Sequence, residues 1–124
     1  MAALLVTDGP ANGQTFALEQ HRLVMVGRDA QCTFQIVDTQ MSRRHMQIRF
    51  DADAGRHCAI DFGSSNGVHV NDNRIEEETA LEDGDRIRLG STTLVYSVDD
   101  SPNAQRVWEM LRRHGQGSLQ TSAD

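Results

Sequence analysis

Apolar and polar residues alternate in short runs along most of the chain, and the runs are separated by glycine, aspartate and asparagine. Alternation with a period of two is typical of half-buried β-strands, and short strands with frequent turns are typical of a sandwich or a barrel. The pattern therefore predicts an all-β, antiparallel fold. The predicted strands cover residues 3–7, 14–18, 22–26, 34–37, 45–50, 57–62, 67–70, 86–89 and 92–98.

After residue 98 the apolar positions take the spacing of an amphipathic helix. We predict a core domain over residues 1–98 and a C-terminal extension over residues 99–124, with a short α-helix at about 102–114 and a flexible tail after it. The apolar stripe of this helix comprises Ala104, Val107, Trp108 and Leu111. The stripe can pack on the domain itself, or it can dock on a partner or on a second copy of the chain.

Composition narrows the classes of function. The chain has 124 residues, which suits one domain with a core, and its net charge of −6 argues against general binding to nucleic acid or to anionic membranes. All twelve basic residues are arginine, so the lysine-dependent phosphate sites and Schiff-base chemistry are excluded. The anion chemistry that remains is the planar, bidentate kind that arginine provides.

The remaining sequence signals are those of a reduced, cytoplasmic protein. Cys32 and Cys58 form no disulfide framework, and residues 1–10 have neither the basic region of a signal peptide nor the length of a membrane span. No spacing of histidines and cysteines resembles a metal site, so we expect no metal and no cofactor. Localisation in the cytoplasm is the expectation that follows.

Three polar clusters lie in the predicted turns, and each combines a turn residue with a group that can bind an anion. They are "GRD" at 27–29, "MSRRH" at 41–45 and "DFGSSNGVHVN" at 61–71. If these turns gathered at one end of a sandwich, a phosphate could receive two bonds from an arginine and others from serine hydroxyls and main-chain N–H groups. Spacing alone leaves open the alternative that these are scattered loop residues.

Taken together and in this order, these clusters and the segment "LEDGDRIRLG" resemble the forkhead-associated (FHA) domain family over about residues 2–98. The resemblance implies a β-sandwich of two twisted antiparallel sheets that binds phosphothreonine peptides through loops at one end. It also implies a recognition module without catalytic activity. "DFG" at 61–63 matches a kinase tripeptide, but the other kinase motifs are absent, so an enzyme is not expected.

The resemblance also assigns roles to individual residues. Arg28 matches the arginine that holds the phosphate, Ser42 matches a serine that bonds the same phosphate, and Arg43 matches a position that often adds a contact. Ser65 matches a residue of the phosphothreonine pocket, and Asn66 matches the asparagine that bonds the peptide main chain. These five residues are the predicted phosphopeptide-binding set.

Four further residues are predicted to support the site. Gly27 and Gly67 permit the turns, His45 matches a histidine that braces the loops, and Asn71 matches an asparagine that usually braces the loops near the site. The main departure from the family pattern is Val68, where many members have threonine, and little effect is expected there. Gln40 lies where some members have a charged residue that reads the peptide, so peptide preference stays open.

Simpler structural roles compete with each assignment. Arg28 can form a surface ion pair with Asp29 or Asp38, the two serines can cap their own turns, and Arg43 can be solvated. Arg44 is predicted to be solvated.

Two functions from different classes remain. The first is an adaptor that binds phosphothreonine proteins in a Ser/Thr kinase pathway. The second is a phosphate-independent assembly domain that uses a sandwich face and the C-terminal helix. Self-association through the helix or the tail is a further hypothesis. Thr121 is followed three residues later by Asp124, and a phosphothreonine with aspartate at that spacing is a pattern that some FHA domains prefer, so phosphorylated Thr121 could occupy the site of its own or of a neighbouring molecule.

Overall fold

A computed structural model describes residues 2–18 and 23–98, and within these ranges every regular element is a β-strand. No helix in these ranges is long and apolar enough to cross a membrane. The predicted helix at 102–114 and Thr121 lie outside the described residues. The strands are β1 (Ala2–Asp8), β2 (Thr15–Ala17), β3 (Leu23–Gly27), β4 (Phe34–Gln35), β5 (Met46–Asp51), β6 (Arg56–Asp61), β7 (Val68–Val70), β8 (Asn73–Arg74), β9 (Thr79–Ala80), β10 (Arg86–Leu89) and β11 (Thr92–Val98).

The strands form two sheets. The first has the order β2-β1-β11-β10-β7-β8, and the second has the order β4-β3-β5-β6-β9. Buried apolar residues from both sheets form one cluster, so the sheets enclose a common core as in a β-sandwich. Among its fully buried members are Leu4 of β1, Ile48 of β5 and Ile87 of β10. The all-β sandwich predicted from the sequence is therefore confirmed.

All nine predicted strands are present within one to two residues of their predicted bounds. The sequence pattern did not predict β8 and β9, which have only two residues each and are mostly exposed. The prediction that the strands pair only in antiparallel fashion was also wrong, because β4 pairs with β3 in parallel. After β3 the chain makes a turn in which the Cys32 N–H donates to Asp29 O (3.0 Å). It then forms β4 beside the edge of β3, running in the same direction as β3.

Strand β5 shows how alternation positions the core. Met46 and Ile48 point inward and are 0% and 1% exposed. Phe50, the next residue in the alternation, is 41% exposed, and its ring lies edge-on against His57 with centroids 5.1 Å apart. The core ends before this strand does.

Strands β1 and β11 are buried on both faces. Leu4 faces the core, yet its neighbour Leu5, on the opposite face, is also 0% exposed. Val95 pairs with Leu5 across the two strands and is 5% exposed. An apolar surface on the outer side of the first sheet is therefore covered.

A second buried feature is the pair His57 and Tyr96, which joins the two sheets. The Nδ1 atom of His57 lies 2.8 Å from the Tyr96 hydroxyl, and both residues are buried. Burial lowers the pKa of His57 below its ordinary value of 6.5, because the neutral imidazole fits this site better than the cation.

The lowered pKa of His57 predicts that the folded protein loses stability in mild acid. Below about pH 6.5 the unfolded chain takes up a proton on His57 that the folded chain does not, so the free energy of unfolding falls until the lower folded pKa is passed. Urea denaturation at about pH 7.5 and about pH 5.5 measures the difference. His57→Gln, which cannot titrate, should reduce the difference between the two pH values. An equal pH dependence in the variant and the wild type would contradict the assignment to His57.

Candidate functional site

The strand register brings the three polar clusters to one end of the second sheet. Val26, at the end of β3, pairs with Met46 at the start of β5, and Met46 pairs with Asp61 at the end of β6. The turn after β3, the loop before β5 and the loop after β6 must therefore lie side by side. These three loops carry Arg28, Ser42 and Ser65.

Gly27 and Arg28 pack directly against the loop before β5. A Cβ atom on Gly27 would lie 2.2 Å from the carbonyl oxygen of Arg43, so only glycine fits at this position. The backbone N–H of Arg28 donates to Ser42 O (3.1 Å), and that of Asp29 donates to Arg43 O (3.1 Å). The close approach therefore fixes the main chain at Arg28 relative to Ser42.

The Arg28 side chain is exposed and oriented by one hydrogen bond. Its Nε atom donates to Met41 O at 3.0 Å. Within the described residues it forms no ion pair with Asp29 or Asp38, the partners of the simpler interpretation. The two terminal NH₂ groups of the guanidinium remain for a ligand, and a fork of this kind matches two oxygens of one anion.

His45 connects the loop before β5 with the loop after β6. The Ser42 N–H donates to His45 Nδ1 (3.0 Å), and His45 Nε2 lies 2.8 Å from Gly67 O. A carbonyl only accepts, so Nε2 carries the proton and Nδ1 presents its lone pair to Ser42. His45 is 0% exposed, and the two bonds hold it as one tautomer of the neutral imidazole.

Ser42 and Asn66 complete the connections between the loops. The Ser65 N–H donates to Ser42 Oγ (3.1 Å), which leaves the Ser42 hydroxyl proton free to point at a ligand. The Asn66 amide donates through Nδ2 to Gln40 O (2.8 Å) and keeps its own oxygen as an acceptor. Gly67 follows with φ = 82°, a conformation that favours glycine.

The side chains of two other predicted site residues, Arg43 and Asn71, are placed differently from those of Ser42 and Asn66. The Arg43 side chain is exposed and lines a pocket beside Ser42. Asn71 follows the other end of β7, where it donates to Asp85 Oδ1 (2.9 Å) and accepts from the Arg86 N–H (3.0 Å). It braces the turn between β7 and β8 against β10, and the structure does not bring it together with Ser42 and Asn66.

Asp38 was not recognised as part of the site from the sequence, although the geometry of the site depends on it. Its buried carboxylate accepts four hydrogen bonds, one from Gln40 N (2.9 Å) and three from Ser91 N, Ser91 Oγ and Thr92 Oγ1 (3.0, 2.9 and 2.7 Å). The carboxylate thereby fixes the turn before Met41, whose carbonyl orients Arg28.

The hydrogen bonds also determine the ionisation of Asp38. Burial by itself would raise the pKa of this carboxyl, but the bonds from Thr92, from Gln40 N and from Ser91 outweigh it. The pKa consequently lies below the ordinary value of 3.8, and Asp38 is a carboxylate at neutral pH.

Ser64 is a second residue that was not recognised. Its hydroxyl accepts from the Gly67 N–H (2.9 Å), and its own N–H donates to Asp61 Oδ1 (2.9 Å). The spacing of aspartate and serine after a strand is a signal for such side-chain turns and could have indicated it. Ser64 shapes the loop that carries Ser65 and Asn66.

Comparison with known proteins gives the family. The family model "FHA domain" matches residues 24–90, more than half of the chain. The chain therefore belongs to the FHA domain family. The matched segment contains all nine predicted site residues, from Gly27 to Asn71.

Several relatives are similar over most of the chain. The FHA domain-containing protein FhaA of Mycobacterium tuberculosis is 39% identical over 96 residues, which cover 77% of this chain and 17% of FhaA. The glycogen accumulation regulator GarA of Mycolicibacterium smegmatis is 33% identical over 108 residues, which cover 83% of this chain and 66% of GarA. The chain thus spans less than two thirds of the length of these relatives.

Solved structures share the fold. A domain from a structural and functional analysis of phosphothreonine-dependent FHA domain interactions superposes with a TM-score of 0.70 at 31% identity, over 81% of this chain and 98% of that one. The FhaA FHA domain, in its complex with the intracellular domain of Rv3910, superposes with a TM-score of 0.67 at 32% identity, over 77% and 99% of the two chains.

The Asp38 turn generates a prediction. In Asp38→Asn an amide N–H must face either the Gln40 N–H or the Ser91 N–H, so the free energy of unfolding should fall by about 1–3 kcal/mol. The carbonyl that holds Arg28 should also become mobile, and hydrogen exchange at Arg28 Nε, measured by NMR, should accelerate. Asp83→Asn is the matched control, because it alters an exposed carboxylate in the loop before β10 that accepts from the Val98 N–H and retains an oxygen for that bond. Unchanged exchange at Arg28 Nε in a destabilised Asp38→Asn protein would show that the turn does not position Arg28.

Proposed function

We propose that this chain is a phosphothreonine-binding recognition module that acts as an adaptor in Ser/Thr kinase signalling. The observation that carries the proposal is the convergence of three loops on Ser42. Arg28 is tied to the carbonyl beside Ser42, and Ser65 is tied to the Ser42 hydroxyl oxygen. The donors left over from these bonds form a cradle for a tetrahedral dianion.

Each predicted binding residue has a task that its free atoms permit. The terminal NH₂ groups of Arg28 bind two phosphate oxygens, and the hydroxyls of Ser42 and Ser65 donate to the same group. Arg43 adds positive charge beside it, and the Asn66 amide oxygen accepts an N–H of the peptide main chain. Charge-assisted bonds contribute about 1.5–3 kcal/mol each, so two or three of them discriminate a phosphorylated peptide from an unmodified one.

The relatives support the class of function. GarA is a glycogen accumulation regulator, and the structural neighbour at 31% identity comes from work on phosphothreonine-dependent FHA interactions. We propose a phosphoprotein as the partner, a binding role without catalysis and, since Cys32 and Cys58 are free thiols, the cytoplasm as the compartment.

Substitution of Arg28 tests the proposal. Arg28→Ala should weaken binding of a phosphothreonine peptide by about 2–4 kcal/mol, a factor of about 30 or more, because the central pair of charge-assisted bonds is lost. Isothermal titration calorimetry with phosphorylated and unmodified forms of one peptide measures it. Arg88→Ala removes the same charge from the exposed face of β10 and serves as the control.

The outcome separates the proposal from the assembly function. Equal affinity for the two peptide forms, or tight phosphate-dependent binding that survives Arg28→Ala, would overturn the adaptor role. A partner that binds independently of phosphate and of Arg28 would instead identify an assembly domain that uses the sandwich face and the helix at 102–114.

We propose that the helix of the C-terminal extension packs on its own domain. The outer side of β1 and β11 is apolar and covered at Leu5 and Val95, and the predicted amphipathic helix follows β11 directly in the chain. A stripe of small and large apolar residues suits such a surface. The helix at 102–114 is then part of the domain and not a docking element for a second copy.

Trp108, the only tryptophan, reports on this proposal. Its fluorescence should be that of a buried indole in the wild type and should shift to the red in Leu5→Glu, which should also lose about 2 kcal/mol or more of stability through a buried charge. Leu23→Glu, at a leucine that is 52% exposed, is the matched control. Two results would contradict the proposal. One is wild-type emission typical of a solvent-exposed indole, and the other is emission typical of a buried indole only under conditions in which light scattering detects a dimer.

A further inference from the structure

Asn66 and Gly67 form a dipeptide that has the chemistry to modify itself. The backbone nitrogen of the residue after an asparagine can attack the side-chain amide carbon, which releases ammonia and closes a succinimide ring. Glycine in that following position leaves the nitrogen unhindered, because it has no Cβ atom. The chain contains a second pair of this kind, Asn12 and Gly13, in the turn between β1 and β2.

Two hydrogen bonds restrain the reacting atoms of Asn66 and Gly67. The Gly67 N–H donates to Ser64 Oγ (2.9 Å), so the nitrogen must leave this bond before it can lose its proton. The Asn66 Nδ2 atom donates to Gln40 O (2.8 Å), which holds the group that would leave as ammonia. The reaction therefore requires local opening of the turn, and the Ser64 hydroxyl is the restraint that a side chain supplies.

The Arg74 side chain brings a positive charge to the same peptide bond. It lies against Gly67, since a Cβ atom on Gly67 would be 2.8 Å from Arg74 Nε and 3.0 Å from Arg74 Cζ. Within the part of the chain that the structure describes, this guanidinium forms no ion pair. The Gly67 nitrogen becomes an anion when it loses its proton, and a cation beside it lowers the free energy of that charged state.

The pair at Asn12 and Gly13 has neither feature. The Gly13 N–H donates to Val6 O (2.9 Å), a main-chain bond that no side-chain substitution removes. A Cβ atom on Gly13 would have no atom within 4 Å apart from those of its chain neighbours, so no guanidinium lies against it. Deamidation at Asn12 is thus independent of Ser64 and Arg74, and it serves as an internal reference.

We propose that Asn66 is a self-modification site that deamidates through Gly67, at a rate that Ser64 restrains and Arg74 raises. In the first step the Gly67 nitrogen gives its proton to water and forms a bond to Asn66 Cγ. The bond from Cγ to the side-chain nitrogen breaks, and that nitrogen takes up a proton from water and leaves as ammonia. Water then hydrolyses the succinimide to aspartate or isoaspartate at position 66. No group is oxidised or reduced, and water is the only co-reactant.

The modification alters the proposed phosphopeptide site, and this consequence rests on the proposed function. A carboxylate at position 66 cannot donate to Gln40 O, and its negative charge lies beside a dianionic ligand. Isoaspartate also lengthens the main chain of the turn by a methylene group. The protein consequently loses affinity for phosphothreonine peptides as Asn66 deamidates.

Peptide mapping by mass spectrometry tests the site without reference to binding. The purified chain is kept in mildly alkaline buffer, which favours loss of the amide proton, and aspartate and isoaspartate are quantified at positions 12 and 66. Ser64→Ala should accelerate deamidation at Asn66 about 2–10-fold, the factor that corresponds to one hydrogen bond, and should leave the rate at Asn12 unchanged. Ser64→Thr retains a hydroxyl and should keep the wild-type rate.

The role of Arg74 is tested in the Ser64→Ala background. Arg74→Gln should slow deamidation at Asn66 about 2–5-fold, because an exposed and partly screened charge is removed. Arg88→Gln, which removes a charge from the exposed face of β10, is the control and should leave the rate unchanged. Equal rates in the Arg74→Gln and Arg88→Gln proteins would refute the role of Arg74.

Three results would overturn the modification site. They are an unchanged rate at Asn66 in Ser64→Ala, an equal acceleration at Asn12 and Asn66, and a Ser64→Thr protein that deamidates as fast as Ser64→Ala.

Calorimetry with Asn66→Asp tests the consequence for binding. This variant should bind a phosphothreonine peptide about tenfold or more weakly than the wild type, and equal affinity would show that the modification does not affect binding. A wild type that binds no phosphothreonine peptide would refute the proposed function, while the mass measurement would still decide whether Asn66 is a modification site.

Discussion

The two hydrogen bonds of the His45 imidazole join the loops on which the candidate site depends. One ring nitrogen accepts from the Ser42 N–H and the other donates to Gly67 O, so the ring sets the distance between the loop before β5 and the loop after β6. A buried ring with both nitrogens engaged has one position and one tautomer. Ser42 therefore has a fixed place relative to the turn at Asn66 and Gly67, and the other contacts are built on it.

Backbone carbonyls, more than side chains, organise the site around this bridge. Met41 O orients Arg28 and Gln40 O orients Asn66, and the turn that presents both carbonyls is held by the buried carboxylate of Asp38. The groups that are left free are hydroxyl protons, guanidinium NH₂ groups and an amide oxygen. Rigid acceptors inside and free donors outside give a surface that is preorganised for an anion.

The sequence predicted the strands because burial of one face imposes a period of two, as at Met46 and Ile48. It did not predict β8 and β9, since Asn73 and Thr79 lie in two-residue, largely exposed strands that exist only through pairing. The parallel direction of β4 is set by its partner rather than by its own residues. Asp38 resembled an ordinary turn residue, because Ser91 and Thr92, which reveal its role, are 53 and 54 positions away.

Net charge and local charge together define the class of ligand. A chain with a net charge of −6 repels an extended polyanion, but beyond a Debye length of about 8 Å at physiological salt the distant carboxylates are screened. A compact dianion bound at Ser42, as proposed, would therefore experience mainly Arg28 and the arginines beside it. Guanidinium is weakly hydrated and planar, so it exchanges water for phosphate at lower cost than an ammonium group. An acidic protein without lysine can in this way be selective for one phosphate in a peptide.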